Sequence, residues 1–400
     1  MATQIQFRRD TSTNWTSVNP ILMVGELGLE TDTSQFKIGD GVSTWSALPY
    51  GGIQGPAQTT ILQDFGDGSD GNMSVTGTLS LSKNLFANNL TISGAGKVIS
   101  NGYKIFVKDT LDMSAAGPDA ATASGNDGVN SVASTGALAP TVQSAQTVGV
   151  GTSGTSGANG AIGAGTTGTA ATATTPSNGG SNGASGAGGS GNAGATAGGA
   201  SGAASTATIP MEIRYYTPDI IRGTTLIQGG VGGRGGSSGG GDGTLRAQQG
   251  GGSGGNGGGI LCIFAKKIIR GGGTAAKAIS AHGGNGGTNT GTPAGNAGGS
   301  GGASGGGGGS VVLFYETLIG TAATNMLDAS GGNGGSGASG LGTGNGGNGG
   351  SGGNGGTIFA VCTLNSTSQV VSGAVGSAGS AGSGTTGGAG GAGGACLLTL

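Results

Sequence analysis

The chain has 400 residues, of which 102 are glycine, while only 8% are charged and 4% are aromatic. Much of it therefore cannot build an ordinary apolar core, and the net charge of −2 gives no electrostatic case for binding nucleic acid. The low charge also differs from that of the usual disordered chain. The glycine-rich part is left with two interpretations, a flexible linker or an unusual ordered structure.

Residues 1–50 have an ordinary composition and a pattern typical of short strands. The alternation from Glu26 to Glu30 predicts a strand, Thr31–Ser34 predicts a turn, and Phe36–Ile38 predicts a second strand ending at a Gly-Asp-Gly turn. We therefore expect a compact β-rich module here.

The segments IQFRRDTSTNW and GELGLETDTSQFKIGDGVSTWSALPY resemble the N-terminal domain of phage major tropism determinants, which tail-fibre and head-fibre proteins share. The resemblance implies a β-prism-like module that trimerises and fixes a fibre to the virion. We take Trp15, Phe36, Trp45 and Tyr50 as the candidates for its packed aromatic positions and its assembly. A β-rich start that arose by chance is the alternative.

Residues 51–72 predict a linker that ends in three evenly spaced aspartates, Asp64, Asp67 and Asp70. Clustered carboxylates suit calcium, but the spacing is not that of an EF-hand, and Asp-Gly turns explain the composition equally well. Both interpretations stay open.

Residues 73–115 give the clearest strand signal. Leu79 and Leu81, Leu90 and Ile92, and Ile105 and Val107 alternate between Gly or Asn turns, which predicts the coils of a β-solenoid. The segment also resembles a leader that precedes glycine tracts in phage fibre proteins. Residues 116–206, which follow, are mostly Ala, Gly, Ser and Thr, and could be either linker or glycine bundle.

Residues 207–400 contain a long repeat of an apolar segment, a turn, a shorter apolar segment and a glycine tract. Stacked repeats bury what one repeat cannot bury alone. Within the repeat, residues 331–357 read as triplets, mostly Gly first and Asn or Ser third. Three residues per turn matches the polyproline II type of helix. Because prolines are few, we expect a bundle of polyglycine II helices rather than collagen.

Candidate catalytic groups are sparse. Beyond residue 210 the acids are scattered, and a serine-histidine-aspartate site would depend on one histidine, His282. We therefore expect no enzyme, no cofactor and no metal site. Arg234, Arg246 and His282 are rare polar side chains among glycines and are candidate receptor contacts. Cys262, Cys362 and Cys396 lie in apolar runs and are expected to be small buried hydrophobes.

Together these patterns predict an all-β, non-enzymatic phage tail fibre or adhesin that forms a homotrimer. Its expected partners are other virion proteins and a host surface polysaccharide or outer-membrane protein. We expect synthesis in the host cytoplasm and location in the virion, since no secretory signal or membrane-spanning stretch is evident. A head or tail decoration without receptor specificity, a bacterial surface repeat protein and a depolymerase are the alternatives.

Overall fold

The computed structural model of the chain divides into two compact units, residues 1–61 (unit 1) and residues 62–400 (unit 2). The structure describes residues 7–51, 65–132, 134–139, 154–160, 164, 186–188, 190, 197–201, 229–240, 249–271, 278–291, 295–320, 326–364 and 394–399; at 51, 362–364 and 394–399 it describes the backbone alone. The predicted linker 51–72 and the predicted low-complexity segment 116–206 lie largely outside these residues, as does the start of the predicted repeat domain 207–400, at 207–228. The finer domain boundaries of the sequence analysis stay predictions.

Unit 1 is a small sheet with one helix packed against it. Its elements are β1 (Arg8–Asp10), α1 (Ser12–Val18), β2 (Leu27–Glu30), β3 (Phe36–Ile38), a 3-10 helix (Trp45–Ala47) and β4 (Tyr50–Gly51). The sheet order is β1-β2-β3-β4, with the first pair parallel and the others antiparallel. The strands at 27–30 and 36–38 lie where the alternation predicted them.

The helix α1 differs from the expectation of strands and turns alone. Thr11 caps it, since its hydroxyl accepts a hydrogen bond from the Asn14 amide at 3.3 Å, and Asn19 ends it in the left-handed conformation with φ 43°. With seven residues and Trp15 as its buried residue, the helix has no apolar periodicity that a sequence pattern could reveal.

Unit 2 contains two parallel sheets that the chain visits in turn. Its strands are β5 (Gly71–Val75), β6 (Thr78–Ser80), β7 (Leu85–Ile92), β8 (Lys97–Ile99), β9 (Ile105–Met113), β10 (Ala121–Thr122), β11 (Ile260–Arg270), β12 (Ile279–Ser280), β13 (Ser310–Ile319), β14 (Leu327–Asp328), β15 (Thr357–Leu364) and β16 (Gly394–Thr399). The sheet orders are β16-β15-β13-β11-β9-β7-β5 and β14-β12-β10-β8-β6. Strands are the main regular secondary structure of the described residues, which contain one short α-helix, and this confirms the all-β prediction.

The apolar core lies between the two sheets. On the large sheet, Leu85, Ile105, Ile263 and Leu313 are in register on successive strands and are all buried. On the small sheet, the buried residues in register on successive strands are Val98, Ala121, Ile279 and Leu327. Because both faces of the first half of β11 are buried, its sequence ILCIFA is a continuous apolar run rather than an alternating one.

The opposite face of the large sheet carries a column of phenylalanines. Successive rings of Phe86, Phe106, Phe264 and Phe314 are stacked with centroids 4.9, 4.9 and 5.1 Å apart, and Phe359 meets the last edge-on at 6.0 Å. In a parallel sheet in register, like residues of successive repeats lie side by side, and aromatic pairs at these distances stabilise it beyond their burial.

The glycine tracts are held by hydrogen bonds between tracts. In residues 299–309, backbone N–H groups donate in three directions that recur every three residues; Ser300 is the exception, since it donates to the Gln249 side chain at 3.3 Å. One set donates to residues 345–354, the second to 231–237 and the third to 281–287; these N···O distances are 2.7–3.1 Å. The triplet spacing of the sequence thus reappears as a three-residue periodicity of hydrogen bonding.

The same tract also accepts bonds from other neighbours. Gly332 donates to the Gly306 carbonyl at 2.8 Å, Gly258 to that of Gly307 at 3.0 Å, and Gly186 to that of Gly302 at 2.9 Å. The backbones of neighbouring tracts are so close that a side chain does not fit at Gly306, where a Cβ would lie 2.2 Å from the Asn256 carbonyl oxygen. Backbone groups that a threefold extended chain cannot pair internally are thereby satisfied.

The third residue of several triplets bonds a neighbouring tract through its side chain; it is exposed at Asn333, partly exposed at Asn285 and buried at Asn256. The Asp127 carboxylate accepts from the Asn285 backbone N–H at 2.7 Å, and the Asn285 side-chain oxygen accepts from the Asn333 backbone N–H at 2.8 Å. This role explains the preference for Asn and Ser at these positions. The bond between Asp127 and Asn285 also shows that part of the segment 116–206 lies against the later repeats. In the same segment, β10 adds a strand to the small sheet.

Candidate functional site

The centre of unit 1 is a pair of stacked tryptophans. The rings of Trp15 and Trp45 lie 4.1 Å apart at 13°, and both side chains are buried with Leu22 and Leu48. The Trp15 indole Nε1 donates to the Leu29 carbonyl at 3.0 Å, so the helix is tied to β2. These side chains form a core rather than an accessible site.

A buried lysine connects this core to Tyr50 on the edge strand β4. The Lys37 Nζ donates to the Trp45 carbonyl at 2.8 Å and lies 4.4 Å from the Tyr50 ring centroid. Tyr50 in turn donates to the Glu30 carboxylate at 3.0 Å, and this hydrogen bond raises the pKa of Tyr50. The cation is stabilised by one carbonyl and by aromatic faces.

The structure brings together three of the four predicted aromatic residues. Trp15 and Trp45 are central, and Tyr50 lies at the rim with half of its surface exposed. Phe36 is half-buried on β3, next to Lys37, and successive strand residues face opposite sides. Phe36 therefore faces away from the tryptophan pair. Whether any of the four takes part in assembly stays a prediction.

The sequence analysis missed a group of exposed apolar side chains in unit 1, which we call the apolar rim. Its members are 49–79% exposed: Ile21, Met23, Val24, Ile38 and Val42. Its two segments lie side by side, since the Gly41 amide donates to the Leu22 carbonyl at 3.1 Å. The feature of the sequence that could have revealed this group is the apolar run Ile21–Val24. Within this run, Leu22 alone is buried. Contiguous exposed apolar surface of this kind marks interaction sites.

Gly28 on β2 sets the space available to the tryptophan pair. A Cβ there would lie 2.6 Å from the Trp45 ring and 3.2 Å from that of Trp15. We expect Gly28→Ala to destabilise unit 1 by ~1–3 kcal/mol, the usual cost of overpacking. Urea unfolding followed by tryptophan fluorescence measures this, because Trp15 and Trp45 are the two tryptophans of the chain. Val18→Ala, at a position that is 71% exposed and lies outside the apolar rim, is the control; equal stability of the two variants would contradict the packing described.

Two of the predicted receptor contacts, Arg234 and His282, lie in separate tracts. Arg234 is half-buried in the tract 229–240, where its backbone N–H donates to the Ser304 hydroxyl at 2.6 Å. His282 follows β12, and its Nε2 lies 3.5 Å from Oδ1 of Asp119. Arg246 lies outside the described residues. The partner Asp119 was missed because it lies far from His282 in sequence.

The aspartates of the predicted calcium segment have local partners. Asp67 accepts from the Ser69 amide at 2.9 Å, as in an Asp-Gly turn. Asp70 accepts from Lys83 at 2.6 Å and from the Phe86 amide at 2.9 Å, and these contacts lower the pKa of Asp70. Asp64 lies outside the described residues, so the calcium hypothesis stays open.

Three further properties of the described residues bear on function: metal ligation, membrane spanning and thiol reactivity. No three His, Cys, Asp or Glu side chains among the described residues are grouped so that they could hold a metal ion. In the same residues, no helix has the length and apolarity needed to cross a membrane. Cys262 is a free, buried thiol whose pKa burial raises to about 12, as expected of a small hydrophobe. For Cys362 and Cys396 the structure describes the backbone alone.

A protein named hyaluronoglucosaminidase, from Streptococcus pyogenes phage H4489A, is 43% identical to this chain over 53 residues. The match covers 13% of this chain and 14% of that protein. No solved structure matches the chain.

This similarity contradicts the prediction that the chain is not an enzyme, since the matching phage protein is named as one. The prediction relied on the scatter of acids in the sequence. That argument is weak in physical terms, because the fold brings together charged groups as distant in sequence as Asp119 and His282.

A match to a known family concerns the start of the chain. Residues 5–43 match the family described as major tropism determinant N-terminal domain. They contain β1 to β3, the helix and the whole apolar rim. The chain therefore begins with a phage tropism-determinant-type domain, as the sequence resemblance implied.

Proposed function

We propose that this protein is a phage tail fibre or adhesin whose first unit attaches it to the virion and whose second unit contacts the host. The match of residues 5–43 to the tropism-determinant domain carries this proposal. A virion location follows from it, with other virion proteins as partners. A head or tail decoration without receptor specificity is the alternative.

Unit 2 is, in this proposal, a β-solenoid flanked by a bundle of polyglycine II helices. The alternation of the chain between two parallel sheets supports the solenoid. The hydrogen bonding in three directions, recurring every three residues, supports the polyglycine II helix. Such a bundle is rigid, and rigid loops lose less entropy when they bind a receptor.

Unit 1 is proposed to form a β-prism-like homotrimer through the apolar rim. Five exposed apolar side chains in so small a unit favour burial against other copies. We expect the full chain to be a trimer by light scattering after size exclusion, and the double variant V24S/V42S to dissociate. Leu138→Ser, at a position 78% exposed in unit 2, is the control. A monomeric wild type, or a variant that stays trimeric, would overturn the proposal.

The proposed receptor is a host surface polysaccharide or an outer-membrane protein. The fluorescently labelled full chain should bind cells of a susceptible strain and fail to bind resistant mutants of that strain. Equal binding to both, or to neither, would favour the decoration protein. Pretreating the cells with protease or periodate separates a protein receptor from a glycan.

Cleavage of a glycan is the second candidate function, favoured by the name of the phage relative. Incubating the full chain with hyaluronan and measuring polymer size by gel electrophoresis tests it. Shortening of the polymer would establish the activity, and an unchanged size distribution at high protein concentration would exclude hyaluronan as the substrate.

A further inference from the structure

His282 lies between two groups that can only accept hydrogen bonds. Its Nδ1 is 3.0 Å from the Gly283 carbonyl oxygen, and its Nε2 is 3.5 Å from the Asp119 carboxylate. A neutral imidazole carries one N–H and can satisfy one acceptor, whereas the imidazolium carries two. The geometry therefore favours the protonated ring.

Asp119 is held in place by further groups from other strands. Its Oδ1 accepts from the Ser280 hydroxyl at 2.6 Å, and its Oδ2 lies 3.8 Å from the Lys97 Nζ. It adopts a left-handed backbone conformation with φ 57°, which aspartate tolerates better than most residues. Among the described residues, Asp119, Lys97 and Asp328 are the charged groups whose contacts or fields act on this pair.

The pair lies where two glycine-rich tracts begin to bond each other. Gly125 donates to the His282 carbonyl at 2.8 Å, Gly128 to that of Asn285 at 2.7 Å, and Ser131 to the Thr288 carbonyl at 2.9 Å. The series runs at steps of three residues away from His282. On the other side of His282 the series continues into the pairing of β10 with β12, where Ala123 donates to the Ser280 carbonyl at 2.9 Å. A loss of contact at His282 would therefore loosen the tracts where they leave the small sheet.

We propose that His282, Asp119 and Ser280 form a proton-dependent latch, which holds the tracts at 124–131 and 282–290 together while His282 is protonated and loosens when it is neutral. The latch requires a charged partner, which Asp119 supplies, and an accessible proton, which the partial exposure of His282 provides.

The direction of the pH dependence follows from the two pKa values. Burial opposes the charge on His282, but the contacts with Asp119 and the Gly283 carbonyl outweigh it and raise the pKa of His282 above 6.5. Burial likewise opposes the charge on Asp119, yet the bonds from His282 and Ser280 lower its pKa to about 2. Stability from His282 is fully present below pH 6.5 and is lost as pH rises through the raised value. Stability from Asp119 is lost as pH falls toward about 2.

An NMR titration directly tests whether Asp119 raises the pKa of His282, because His282 is the one histidine in the chain. In the full-length protein we expect the midpoint above 6.5. In D119N, which keeps a side chain that tolerates the left-handed conformation, we expect a lower midpoint. A wild-type midpoint at or below 6.5, or no decrease in D119N, would overturn the proposal.

Hydrogen exchange measured by mass spectrometry tests the coupling to the tracts. After correction for the intrinsic pH dependence, protection of 124–131 and 282–290 should be several-fold lower at about pH 8.5 than at about pH 5.5. In H282Q, whose amide does not titrate, this difference should disappear, while residues 85–92 of β7, which pair with β5 and β9 rather than with these tracts, behave alike in both proteins. The same pH-dependent loss in H282Q would contradict the latch. H282Q alone decides the matter if D119N fails to fold.

Discussion

Phe264→Ala is expected to destabilise unit 2 by ~3–5 kcal/mol, the usual cost of truncating a buried phenylalanine. Phe264 lies fully buried on β11, and its ring stacks on Phe106 at 4.9 Å and on Phe314 at 5.1 Å. The substitution removes both aromatic contacts and leaves a cavity in the middle of the column. Guanidinium unfolding followed by far-ultraviolet circular dichroism measures the loss.

The control for this prediction is the same substitution at Phe7, whose side chain is 54% exposed in unit 1. We expect Phe7→Ala to change the free energy of unfolding of unit 2 by less than about 0.5 kcal/mol. If Phe264→Ala were equally mild, the phenylalanine column would not contribute to the stability of the sheet.

Gly306→Ala is expected to disrupt the glycine bundle, at a cost near the upper end of ~1–3 kcal/mol. The added Cβ would lie 2.2 Å from the Asn256 carbonyl oxygen, and a backbone atom cannot turn aside as a side chain can. Gly306 also donates to Gly284 at 2.9 Å and accepts from Gly332 at 2.8 Å, so a displacement would affect three tracts. Differential scanning calorimetry should show a lower transition temperature.

Gly77→Ala is the matched control, because a Cβ there would meet nothing within 4 Å. Removing a glycine at such a position reduces the entropy of the unfolded chain, so we expect a neutral or slightly stabilising effect of ~0.4–1 kcal/mol. A Gly306→Ala protein as stable as Gly77→Ala would show that the tracts are not closely packed.

The sequence predicted strands well where their signal was local. The alternation in 26–30 and 36–38 and the apolar runs around Ile263 and Leu313 correspond to observed strands, because burial on a pleated sheet imposes these patterns directly. The third position of the triplets was likewise visible in the sequence, because Asn and Ser recur there, and the side chains of Asn285 and Asn256 bond neighbouring tracts.

The contacts between distant residues could not be predicted. Asp119 meets His282 only because the chain returns to the same place after a long excursion, and no pattern near either residue records this return. The apolar rim was missed for a different reason: Ile21, Met23 and Val24 resemble core residues in sequence, and only the fold shows that Leu22 alone points inward. The helix α1 was hidden by its short length.

The most direct test of the central claim, that the glycine tracts form an ordered bundle, is hydrogen exchange of residues 299–309 in the full-length protein. In this tract, backbone amides donate to carbonyls of three neighbouring segments at 2.7–3.1 Å, and we expect their exchange to be slowed by orders of magnitude. Exchange at the rate of an unstructured peptide would show that these tracts are a flexible linker and would contradict the account.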